Sequence, residues 1–223
     1  MFRRIQRFVV LAFLPSLAHA QAANSYTQSN LISDGSVKAQ QTDTQLINPW
    51  GVAIGQQTPF WINTAGTGLS EVCDAGANKQ FVVTIPAAGG SGKTGSPTGI
   101  VFNSSTTDFA LPQESASFFI FDALDGTISA WNRSETNGLV VADNSASGAV
   151  YTGITIVNNG RENFLFGANF SKNKIDVFDS KFSPANTVQR TDTNASDGTF
   201  GQVTQQASNI SNRQGQVSFR IEF

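Results

Sequence analysis

The 223-residue chain is poor in charge: Asp, Glu, Lys and Arg make up 13% of it, against roughly 25% in ordinary globular domains, and the formal net charge is −2. No run of basic residues offers a phosphate-binding footprint, which disfavours nucleic acid as a partner. One histidine and one cysteine leave little material for imidazole or thiol catalysis and none for an internal disulfide.

Residues 1–20 read as a signal peptide. Arg3, Arg4 and Arg7 form a basic start, Phe8 to Leu17 an apolar core, and Ala18-His19-Ala20 a small-x-small cleavage signal. The apolar run is short of the roughly 20 residues that span a bilayer, and an uncleaved anchor is the alternative reading. Cleavage removes the lone histidine. It also takes Lys+Arg from 14 to 11 against 16 acidic residues. The mature chain is then expected outside the cell, or in the periplasm of a bacterium, with no membrane attachment. Residues 21–47 form an N-terminal segment. Leu31–Asp34 within it is a strand candidate, expected to close a sheet at the far end of the chain.

Three units of four predicted strands follow over residues 48–190. The first has strands at Gly51–Ile54, Phe60–Asn63, Leu69–Cys73 and Gln80–Pro86. The second has Gly99–Phe102, Ser117–Asp122, Thr127–Asn132 and Leu139–Ala142, with Asp125-Gly126 as a tight turn. The third has Gly153–Val157, Asn163–Ala168, Lys174–Asp179 and about 186–190. Cys73 reads as a small hydrophobe in the third strand of its unit, with a reactive thiol as the alternative. Residues 191–223 break the pattern and end on the alternating strand Val217–Phe223.

The units are copies of one another. A small acceptor, five residues, an aliphatic, two residues and an apolar recur as Asn63…Leu69…Val72, Asp122…Ile128…Trp131 and Asn169…Ile175…Phe178. The glycines that open the first strands lie 48 and 54 residues apart. Four short strands at that period make a propeller blade. The predicted fold is all-β: a partial β-propeller of about three blades, four antiparallel strands each. The glycine-led strands are expected innermost, where backbones crowd.

The hairpin Asn169-Phe-Ser-Lys-Asn-Lys-Ile-Asp-Val-Phe-Asp179 is similar to that of NHL repeats, and the chain resembles six-bladed NHL/TolB-like propellers. It is also similar, over about 30–184, to an uncharacterised exported family within that group. Asn48-Pro-Trp-Gly-Val-Ala-Ile54, Phe81–Pro86, Pro97–Asn103, Asp125–Ser129, Asp143–Tyr151 and Ile175–Ser180 carry that likeness in order. The resemblance implies the N-terminal half of a ring that needs roughly 290 residues. It leaves three explanations open: a truncated product, missing blades supplied otherwise, or a homodimer that completes the ring.

The candidate ligand-binding residues are Trp50, Asn63, Asp122 and Asn169. The three acceptors sit at one repeat position and would ring a channel mouth. The structural alternative is that each caps its own turn. Trp50 would line the axial opening and stack on a sugar, or else pack between blades. One carboxylate among amides is thin for Ca²⁺, and Asp192-Thr-Asn-Ala-Ser-Asp-Gly198 departs from a calcium loop, so neither a cofactor nor a catalytic or metal residue is assigned. Asn103, Asn132, Asn194 and Asn209 begin sequons open to N-glycosylation in a eukaryotic source. The expected function is a secreted binding or scaffold module. The alternative, implied by related six-bladed propellers, is a cation-dependent hydrolase or lactonase.

Overall fold

The computed structural model describes residues 28–189, apart from 91, 113–114 and 186–187. The leader, the sequons at Asn194 and Asn209, the calcium-like loop and the terminal strand candidate lie outside the described residues.

Two short strands come first, β1 (Ile32–Ser33) and β2 (Gln41–Thr42), paired in parallel. The strand expected to close a distant sheet is therefore half of a local pair. The first four-stranded sheet is β3 (Pro49–Ile54), β4 (Phe60–Thr64), β5 (Leu69–Cys73) and β6 (Lys79–Thr84). The second is β7 (Pro97–Phe102), β8 (Phe119–Ala123), β9 (Thr127–Trp131) and β10 (Leu139–Asp143). The third is β11 (Tyr151–Asn158), β12 (Asn163–Asn169), β13 (Lys174–Phe178) and β14 (Val188–Gln189). Each sheet is an antiparallel meander in chain order.

The three sheets fan from their first strands: β7 lies between β3 and β11. This is the arrangement of consecutive propeller blades. The pairing of each first strand to its neighbour slips at the same place, between Pro49 and Val52, Pro97 and Ile100, and Tyr151 and Ile154. Each slip is a bulge around the repeat's glycine. At Gly99 a Cβ would stand 2.7 Å from the Ile154 nitrogen and 2.9 Å from Gly153 Cα, so only glycine lets the two backbones meet.

Cores form between sheets. Trp61, Val72, Val83 and Ile85 of the first pack on Phe119, Phe121 and Trp131 of the second. Ile120, Ile128 and Ala130, on the second sheet's other face, pack on Tyr151, Leu165 and Phe178 of the third. Burying each such aromatic or aliphatic side chain contributes about 1.5–3 kcal/mol. Phe109 in the long β7–β8 loop stitches the second seam shut. Its ring packs on Phe182 at 5.3 Å and its N–H donates to the Ser180 carbonyl at 2.7 Å. The outer sheets keep one face each without a neighbouring sheet among the described residues. The first sheet's is partly roofed by the N-terminal segment, where Leu46 is buried and Lys79 pairs with Asp43.

Candidate functional site

Register decides where the repeat's polar residues go. Pro49 pairs with Thr64, Pro97 with Ala123 and Tyr151 with Asn169. The preceding residues, Asn63, Asp122 and Ala168, are therefore the equivalent positions. Asn169 is one residue further, and a one-residue slip turns a side chain to the other face of its sheet. The sequence repeat had grouped Asn169 with Asn63 and Asp122; the strand pairing corrects this.

Asn63 and Asp122 are both fully buried in the seams between sheets. Asn63 Nδ2 donates to the carbonyls of Thr98 at 3.1 Å and Gly99 at 2.9 Å, on the inner strand of the next sheet. Asp122 Oδ1 accepts from the Gly99 N–H and lies 2.7 Å from Thr98 Oγ1, which also reaches the Tyr151 carbonyl at 2.9 Å. Neither residue caps its own turn, and neither opens to a channel. Burial pushes the Asp122 carboxyl up to about 6, against the opposing pull of bonds from Thr98, Gly99 and Gly153.

Asn169 belongs to a different network. Its Nδ2 donates to Asp176 Oδ2 at 2.8 Å, and its Oδ1 lies 3.2 Å from Ser171 Oγ in its own turn. The Tyr151 hydroxyl donates to the same Asp176 oxygen at 2.8 Å, and Lys174 Nζ stands 2.7 Å from Oδ1. Burial opposes the charge on Asp176, but Lys174, Asn169 and Tyr151 together hold its carboxyl below the usual range. Trp50, 47% exposed, shares no open site with these three buried residues.

Two of the four asparagines proposed as glycan acceptors fall in described structure, and both are corrected. Asn103 Nδ2 donates to the carbonyls of Asp108 at 3.0 Å and Ser117 at 2.9 Å. Asn132 Oδ1 caps its turn by accepting from the Ser134 N–H at 3.0 Å. Both side chains are buried, so neither amide nitrogen is free to carry a glycan in this fold. Cys73 is buried as well, and burial together with Glu71 raises its thiol away from reactivity.

One buried carboxylate escaped notice in the sequence. Glu71 is fully buried on the first sheet's outer face, with Lys79 Nζ 3.5 Å from Oε1. Burial, reinforced by the charge on Asp43, pushes it up to about 7 despite Lys79. Its pairing with Ile62 matches that of Asp176 with Gly167, so Glu71 and Asp176 are repeat equivalents. Among the described residues no group of three or more His, Cys, Asp or Glu side chains is placed to hold a metal ion.

An open concavity lies elsewhere. At the opposite end of the first seam a cleft of about 410 Å³ is floored by Trp61, Phe119 and Trp131 and walled by Phe81, Phe102 and Phe118. Trp61 stacks on Phe119 with centroids 4.2 Å apart and meets Trp131 at 4.8 Å. Trp131 Nε1 is satisfied by the Glu135 carbonyl at 2.7 Å. The β3–β4 turn, Gln56 to Pro59, and Arg133 form the rim. Its aromatics come from six strands and loops of two sheets, so no single motif announced it.

No family model matches the chain. It is similar to two uncharacterized proteins of Acanthamoeba polyphaga mimivirus. One, L690, is 28% identical over 178 residues, covering 77% of this chain and 46% of that protein. The other, R648, is 29% identical over 173 residues, covering 73% and 41%. The chain thus spans less than half the length of these relatives. Solved structures to which it is similar include the β-propeller domain of Cps50 (Swd1) from Myceliophteria thermophila, at TM-score 0.44 and 10% identity over 63% of this chain and 41% of that one. A putative 6-phosphogluconolactonase from Bacteroides uniformis matches at TM-score 0.41 and 12% identity, over 64% and 42%. At such scores the fold rests on the molecule's own sheet order, which is that of a partial β-propeller.

Proposed function

We propose that the chain is an exported binding module built on part of an NHL/TolB-like propeller, and that its ligand sits in the aromatic cleft between the first two sheets. The cleft carries this reading. It is concave, largely apolar and within the roughly 300–1,000 Å³ usual for small-molecule sites. The polar residues that a hydrolytic or lactonase site would draw on are instead tied one by one into seams: Asn63 to backbone carbonyls, Asp122 to Thr98 and Gly99, Asn169 to Asp176. They do not converge on a point where a cation and a substrate could meet. No observation favours the hydrolase over the binding module.

A thermal-shift screen of the 223-residue chain against apolar and amphipathic small molecules tests this. Hits should stabilise the chain saturably and lose their effect in Phe81→Ala, whose ring is a solvent-facing wall of the cleft. Hits that ignore Phe81→Ala, or turnover of any lactone or ester, would count against the proposal.

A further inference from the structure

The cleft between the first and second sheets has one charged group at its mouth. Arg133, exposed on the β9–β10 turn, lays its guanidinium 5.6 Å from the centre of the Phe118 ring. That cation–π contact holds the group beside the ring, with N–H donors to offer a ligand. Among the described residues Arg133 makes no ion pair; the pairs formed there belong to Lys79 and Lys174. Glu135, two residues on, does not line the cleft and has a buried Oε1. A cation without a paired carboxylate, beside an aromatic hollow, is the complement of a molecule with an apolar plane and an anionic edge.

Neutral alternatives fit less well. A sugar asks for several donors and acceptors around an aromatic platform. Here the Thr58 hydroxyl is already taken by the Gly55 N–H at 2.7 Å and the Pro59 carbonyl at 3.1 Å, and Trp131 Nε1 by Glu135. That leaves Gln56 and Gln57 at the rim against six aromatic rings. Planar guanidinium pairs best with the two oxygens of a carboxylate, in a fork-to-fork contact.

Building on the binding reading above, we infer that the cleft takes a flat aromatic carboxylate, its ring against Phe81 and Phe118 above the Trp61–Trp131 floor and its carboxylate on Arg133. Calorimetric titration of the 223-residue chain with 2-naphthoate, and with neutral 2-naphthamide, tests the assignment. Naphthoate should bind at one site per chain. Arg133→Gln should weaken naphthoate about tenfold and leave naphthamide nearly unchanged, as loss of a charged hydrogen-bonded pair requires. Arg133→Lys should recover part of the loss, and Phe118→Ala, at an exposed wall, should weaken both compounds. Equal binding of the two, insensitive to Arg133→Gln yet weakened by Phe118→Ala, would overturn the carboxylate while leaving a binding cleft. Binding that ignores Phe118→Ala, or absence of binding by either compound, would overturn this inference, and the binding reading would then rest on the screen above.

Discussion

Single residues set the pH response. Glu71 and Asp122 are buried carboxyls whose neutral form the fold prefers, at about 7 and about 6. In the unfolded chain they ionise near their ordinary values of 4.5 and 3.8. Between those values and the raised ones the native state holds protons that the unfolded state has released, so stability falls as pH rises. Asp43 and Asp176 run the other way: their carboxyls are lowered, and what they contribute is lost only as pH falls below the unfolded value of 3.8. The urea midpoint should therefore be highest near pH 4 and decline to about pH 7. Glu71→Gln should remove the upper part of that decline. Asp122→Asn should remove the lower part, and its new amide would stand where Asn63 bridges to the next sheet. A midpoint that climbs steadily from pH 5 to pH 8 would refute the assignment of both groups.

Elements report how far the sequence could be read. The glycine-led first strands and the Asp125-Gly126 turn were legible because each is a local signal repeated in place. The facing of β12 was not. Its hairpin to β13 closes through the four residues 170–173, whereas β8 joins β9 through the three residues 124–126. That difference moves Asn169 out of the repeat position that matching letters gave it. The β1–β2 pair was missed because two-residue strands leave almost no pattern. The cleft was missed because its rings meet only when two sheets pack. The bulge glycines give the test of this level. A methyl at Gly99 meets the backbone of β11, whereas nothing lies within 4 Å of one at Gly153. Gly99→Ala should cost about 1–3 kcal/mol by prying the second and third sheets apart. Gly153→Ala should stay within about 0.5 kcal/mol in the isolated chain. Equal costs in chemical denaturation would mean the sheets do not converge on these glycines.

At the scale of the molecule, the two outward faces are each other's complement. Phe166 pairs with Thr155 and Val177 as Trp61 pairs with Ala53 and Val72, so the third sheet's open face is the one that the first turns toward the second. The first sheet's open face, with Val52 at 61% and Ile54 at 54% exposure, is the one that the second and third turn backward. The second sheet holds these mates on opposite sides, so the three described sheets alone cannot join them. Further blades or a second copy would join them; in the second case third sheet meets first in both directions about a two-fold axis, which closes the contact instead of propagating it. Where a second copy completes the ring, light scattering on the purified chain gives twice its 23.7 kDa mass, less the leader where that has been removed. Val52→Lys, at an exposed position, should return it to monomer without unfolding it. Gly153→Ala, silent in the monomer, should weaken the dimer, because in the pair that glycine would meet the partner's β3 as Gly99 meets β11. A monomeric mass across concentration, unchanged by either substitution, would show that the open faces are covered within the chain itself.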